Sequence, residues 1–129
     1  VWEMTFPGFV DIPIVLMHMG GYDFMDAVHW TLENLDVDVS FNQKEVYLDM
    51  AGTFPTQVTS RDPWMTESWA AETFTRLVQF SGLSERILFG SDYPFFDRRK
   101  CMEWTKGVNI DDVKKRQILG GNIEKLLNA

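Results

Sequence analysis

The sequence predicts an α/β fold built from parallel βα units, and three observations carry that expectation. Short apolar runs recur at residues 12–19, 46–51 and 87–89, continuous as in strands buried on both faces. Each run stops at small residues, Gly20-Gly21, Ala51-Gly52 and Gly90-Ser91. Segments with apolar residues at helical spacing follow or separate them, giving strand, helix, strand, helix, strand, helix.

Residues 1–9 carry Trp2, Met4, Phe6 and Phe9 with no helix cap and open on Val1, which is expected of an element whose beginning is missing. The first strand, IPIVLMHM, tolerates Pro13 because it stands at the start. Pleating places Ile14, Leu16 and His18 on one face, with His18 at the carboxyl end. There it is either a core histidine bonded to a neighbouring carbonyl or a functional imidazole. Asp23 is expected to cap a crossover helix with Phe24, Val28, Leu32 and Leu35 on its packed stripe, and His29 is a partly exposed residue of that helix. Residues 36–41 alternate apolar and polar and fit either an extended segment or a loop.

The second strand, VYLDMA, puts Tyr47, Asp49 and Ala51 on one face; Asp49 either orders the strand ends by hydrogen bonding or supports a metal or substrate. Residues 53–63 form a polar connection of the length that often rims an active site. Residues 64–81 are helical, with Trp69, Thr73, Leu77 and Phe80 as the packed stripe, Trp64 near the start and Gly82 as the stop. The stretch RILFGSDYPFF, residues 86–96, is the one the rest is organised around. Alternation groups Leu88, Gly90 and Asp92, and Tyr93-Pro94 takes the chain out of the sheet, so Asp92 stands at a carboxyl strand end. Parallel α/β folds gather their ligands there, although an aspartate in that position also caps turns. Residues 97–105 form a short helix with Arg98, Arg99 and Lys100, either a solvated face or an anion clamp. Asn109 is expected to cap a last helix, ILGG to interrupt it, and residues 122–127 to close the chain.

Composition excludes several classes of function. A chain of 129 residues with 45% hydrophobic content can build one core, and it contains neither internal repeats nor low-complexity segments. A net charge of −7 opposes nucleic-acid binding, which needs clustered cations. Cys101 is the only cysteine, so no intrachain disulfide or multi-cysteine metal site forms, and a reducing, cytoplasmic compartment is expected. No apolar run approaches the roughly 20 residues of a membrane helix, and no membrane partner is expected. Three strands make an incomplete sheet; since a closed (β/α)8 barrel takes about 250 residues, the chain is expected to hold the last three repeats of one. A doubly wound sheet is the alternative, but GxGxxG and GxxxxGK[ST] are both absent.

Three segments, IVLMHMGG with His18, VYLDMAG with Asp49 and RILFGSDYPF with Asp92, together with the tail QILGGNIEKLL, resemble the amidohydrolase-related family of metal-dependent TIM-barrel enzymes, which includes the aminocarboxymuconate-semialdehyde decarboxylases. The resemblance spans nearly the whole chain and implies a single domain, residues 1–129, equivalent to barrel strands six to eight, with the preceding strands absent. It implies that Asp92 is a catalytic metal ligand and that His18 is a catalytic proton-transfer residue. The divalent metal is zinc by first expectation and manganese by second. The family's paired histidines on strand one and its histidine on strand five have no counterpart, because only His18 and His29 are present.

The function expected of the complete form is therefore a metal-dependent hydrolase or a non-oxidative decarboxylase, a lyase, acting on a small carboxylated or carbonyl substrate. The fragment alone is expected to be inactive. It is expected to self-associate, or to associate with the missing barrel half, because Ile14, Leu16 and Leu88 would lose their cover. The competing expectation is a non-catalytic half-barrel that binds or assembles. A flavodoxin-like signalling domain ranks behind both, since the chain does not open on an acidic strand end.

Overall fold

The computed structural model describes residues 13–19, 45–52, 67–80 and 82–129. The opening stretch 1–9, the helix expected from Asp23 with His29 in it, residues 36–41, the connection 53–63 and Trp64 lie outside the described residues.

Strands β1 (Ile14–Leu16), β2 (Val46–Asp49) and β3 (Ile87–Leu88) form a parallel sheet in the order β1-β2-β3. The register pairs Ile14 with Val46 and Leu16 with Leu48 on one side, and Leu48 with Ile87 and Asp49 with Leu88 on the other. Central position explains the composition of β2. Val46, Tyr47 and Leu48 are all buried, as the continuous apolar run requires when both faces of a strand are covered.

The strands are shorter than the apolar runs. Residues 17–19 form a 3-10 turn in which His18 and Met19 take φ of 53° and 51°. Positive φ is incompatible with the pleat, so the alternation that would place His18 on the face of Ile14 and Leu16 stops at Leu16. In the same way β3 stops at Leu88. The Phe89 N–H donates to the Ile118 carbonyl (3.1 Å), outside the sheet, and Asp92 has φ 58°. The chain thus leaves the sheet before Tyr93-Pro94 rather than at it.

Helix α1 (Glu67–Gln79) buries Ala70, Phe74, Leu77 and Val78, a stripe displaced by about one residue from the expected one. Trp69 and Phe80 are exposed and Thr73 is half-buried. The i, i+4, i+7, i+8 set wins because its side chains form one continuous apolar row, and Leu77 alone belongs to both stripes. Gly82 ends the segment as expected, with φ 77°, and the chain enters β3 through a 3-10 turn, Leu83–Glu85.

After β3, helix α2 (Arg98–Gly107) starts at Asp97, whose Oδ1 accepts from the N–H groups of Arg99 (2.8 Å) and Lys100 (3.3 Å). Its Trp104 ring lies 5.5 Å from that of Phe74, tilted by 59°, which joins α2 to α1. Helix α3 (Asp112–Arg116) is capped by Asp111 and not by Asn109: Asp111 Oδ1 accepts from Lys114 N (2.9 Å), leaving Asn109 two residues too early. The ILGG interruption is a π-helical turn, Gln117–Gly121, which passes directly into α4 (Asn122–Leu127).

The core gathers Leu48, Ile87, Phe74, Val78, Leu83 and Ile118 between the sheet, α1 and the π-turn. Leu16 and Leu88, expected to lie bare, are each only 5% exposed. Leu16 belongs to this core and Ile14 packs partly buried against it. One polar residue enters this core by design of its bonding. Asn122, 4% exposed, donates through Nδ2 to the carbonyls of Ser84 and Ile87, each at 2.7 Å. Replacing Asn122 by Ala leaves two buried carbonyls without that donor, an expected loss of roughly 2–4 kcal/mol. Asn122→Asp, which turns a donor into an acceptor facing two oxygens, is expected to lose more. Urea denaturation of the two variants checks both the size and the order.

Candidate functional site

The side chains singled out in the sequence meet at the carboxyl edge of the sheet, and two glycines decide how. Gly52, immediately beyond β2, has φ 66°, and a Cβ there would collide with the His18 ring, Nδ1 nearest. His18 of the turn after β1 therefore leans across one strand onto Gly52, with Nε2 as the nitrogen remote from that contact. Gly90, beyond β3, repeats the arrangement, because a Cβ there would collide with Asp49 Oδ1 and the Ala51 side chain. Asp49, the last residue of β2, leans across to β3.

Asp49 Oδ1 also accepts from the N–H of Ala51 (3.0 Å), so one of the two alternatives open from sequence, an ordering hydrogen bond at the strand end, is present. Burial pushes the Asp49 carboxyl above the usual carboxylate range. The Ala51 N–H and the nearby His18 pull it back, and the nearby Asp92 pushes it further up. His18 and Asp92 are thus each near enough to Asp49 to act on its carboxyl.

Asp92 is half-buried and opens a tight turn, in which Phe95 N donates to the Asp92 carbonyl (3.0 Å) across a cis Tyr93-Pro94 bond. Its carboxylate, like the His18 imidazole, makes no hydrogen bond or ion pair among the described residues. Beyond it, Tyr93, Pro94, Phe96, Asp97, Arg98 and Arg99 line an open depression of about 380 Å³, and the Arg98 guanidinium lies 5.9 Å from the Tyr93 ring centre. The Arg98–Lys100 run is exposed, as the solvated-face expectation has it. Sequence reasoning missed the seats at Gly52 and Gly90; the small residues after each apolar run were the available signal, and only the pairing of strands shows which side chain each glycine admits.

A parallel βα sheet with its polar side chains collected at the carboxyl edge is the arrangement of the α/β proteins that place their chemistry on the loops following the strands. The amidohydrolase family model matches residues 5–129, and the chain belongs to that family, whose members are generally metal-dependent. Among solved structures, the crystal structure of 2,6-dihydroxybenzoate decarboxylase complexed with 2,6-dihydroxybenzoate is similar, with 18% identity and a TM-score of 0.56. The match covers 90% of this chain and 34% of that one, so the chain spans about a third of that protein and shares with it the fold of a part of a TIM barrel. No curated protein matches the sequence.

The family's metal finds a partial fit here. Among the described residues no three histidine, cysteine, aspartate or glutamate side chains come together as a metal site. A catalytic zinc takes three protein ligands. Asp49 Oδ1 accepts from Ala51 N–H, while Asp92 has no hydrogen bond or ion pair among the described residues. This donor set does not fit a resident ion by itself. Among the described residues, no helix is long and apolar enough to cross a membrane.

The raised Asp49 carboxyl has a consequence for stability. Its folded value lies above the 3.8 of an unperturbed group, so the native state holds the proton more tightly; this contribution is complete below about pH 3.8 and is lost as pH rises through the folded value. Asp49→Asn keeps an acceptor for Ala51 and removes the buried charge. The variant is expected to gain on the parent as pH rises from 3.8 toward neutrality, and denaturation midpoints across that range measure the widening gap.

Proposed function

We propose that the complete protein is a metal-dependent hydrolase or non-oxidative decarboxylase of the amidohydrolase family, acting on a small carboxylated or carbonyl-containing molecule. The observation that supports this reading is that His18 and Asp92, both without a hydrogen bond or ion pair among the described residues, follow strands of one parallel sheet and each lie near enough to Asp49 to act on its carboxyl. On this reading β1, β2 and β3 are strands six, seven and eight of the barrel. The structural likeness to 2,6-dihydroxybenzoate decarboxylase supports decarboxylation as the first reaction to assay.

In this reading Asp92 provides one ligand position for zinc or manganese, and the remaining ligands come from outside the described residues. When bound, such an ion supplies a Lewis acid. His18 moves a proton: its Nδ1 edge is seated on Gly52, and Nε2 is the nitrogen free to give a proton to the substrate carbon in decarboxylation or to take one from water in hydrolysis. The described residues hold too few ligands for turnover, and on this reading the chain works in association with the rest of a barrel or with further copies. A non-catalytic half-barrel is the second reading, favoured by the absence of a three-ligand cluster among the described residues.

The variants His18→Asn and Asp92→Asn in the complete protein test the assignment, with 2,6-dihydroxybenzoate as the probe and zinc or manganese supplied. His18→Asn is expected to lower kcat roughly 10²–10⁴-fold, the usual worth of a general acid or base, while most metal stays bound. Asp92→Asn is expected to lose metal on dialysis and turnover with it. Full activity in either variant removes that residue from its role, and inactivity of the parent towards carboxylated and carbonyl probes alike favours the half-barrel.

A further inference from the structure

We infer that Asp49 is a positioning residue for His18 and for the strand end that carries Asp92, acting through the Ala51–Gly52 turn on one side and through Gly90 on the other. The inference rests on the reading that His18 and Asp92 act at this edge. Three contacts make the link. Asp49 Oδ1 accepts from Ala51 N–H at 3.0 Å, which fixes the turn leaving β2. The next residue, Gly52, holds φ 66° and receives the Nδ1 edge of the His18 ring in the space a side chain would fill. The same Asp49 carboxylate fills the space left at Gly90, two residues before Asp92.

Asp49 therefore meets the β3 end directly and the β1 turn through Ala51 and Gly52. His18 itself has no hydrogen bond among the described residues that would hold its ring, so the Gly52 turn is the surface that aims it. A turn pinned at Ala51 keeps that surface in place; a turn released there does not. The acceptor atom carries this role, and the charge does not. Asn, whose Oδ1 accepts as well, therefore replaces Asp49, and Ala does not.

The test compares Asp49→Ala with Asp49→Asn in the complete protein by two readouts. The imidazole resonances of His18, assigned by their loss in His18→Asn, are expected to shift and broaden in Asp49→Ala and to stay in place in Asp49→Asn. Turnover of 2,6-dihydroxybenzoate is expected to fall about 10–100-fold in kcat with little change in KM for Asp49→Ala, as for a displaced reacting group, and to recover in Asp49→Asn. Unmoved resonances in Asp49→Ala overturn the inference, and so does equal damage from both variants.

Gly90→Ala supplies a second route should Asp49→Ala fail to fold. The added methyl collides first with Asp49 and Ala51, so movement of the His18 resonances supports transmission through Asp49 and their constancy refutes it. His18→Asn in the turnover arm keeps the two readings apart. Full turnover there defeats the functional reading, while the resonance arm still decides the role of Asp49.

Discussion

The two hydrogen bonds from Asn122 fix the geometry on which the site depends. They tie the first turn of α4 to the 3-10 turn that leads into β3, at Ser84, and to the first residue of β3, Ile87. The π-helical turn just before Asn122 adds a residue to the helical repeat, and the Ile118 carbonyl is placed to take the Phe89 N–H. Phe89 is then no longer available to extend the sheet. Sheet pairing ends at Met50 N to Leu88 O (3.0 Å), and Gly90, Ser91 and Asp92 are free to turn over the carboxyl edge. The end of the chain thus determines where the third strand stops and where its aspartate begins.

Electrostatics at that edge follow from the same shortening of the strands. In a chain of net charge −7, two carboxylates held near one another at a half-buried edge repel, and desolvation adds to the cost. Asp49 accommodates this by sharing the Ala51 N–H and lying within reach of His18. Asp92 has no such donor among the described residues. A half-buried carboxylate without donors among the described residues is better satisfied by a cation or by a group that donates hydrogen bonds than by the bare edge of the sheet.

Much of this was legible from the chain itself, and the limits have physical causes. Apolar runs ending in small residues located all three strands and put His18, Asp49 and Asp92 near their carboxyl ends, since strand burial and turn chemistry are written locally. Strand length was not legible, because it is set by the partner of a single N–H, and for Phe89 that partner is Ile118, 29 residues further on. The α1 stripe was misplaced because Trp69 and Phe80 are large enough to count as core by composition. The sheet instead accepted the smaller Ala70 together with Phe74 and Val78. Asn109 and Asp111 are both good caps by type, and only the N–H of Lys114 decides between them. Asn122 looked like one more helix-starting residue; its work is done by distant carbonyls that no local pattern announces.

Backbone conformation gives the last step. Among the described residues other than glycine, only His18, Met19 and Asp92 have positive φ. Left-handed backbone costs an ordinary residue roughly 1–2 kcal/mol, so it persists where the surroundings leave no alternative. At His18 the constraint is visible: the next residue, Met19, is fully buried, and the ring is seated on Gly52. At Asp92 the tight turn closed by Phe95 N–H supplies it. Both residues lie beyond the last residue of their strand, two past Leu16 and four past Leu88, so the left-handed backbone bends a chain that has already left the sheet. The fold thus accepts local strain at His18 and Asp92, two residues whose polar groups have no hydrogen bond or ion pair among the described residues, and strain held at such positions marks a candidate site.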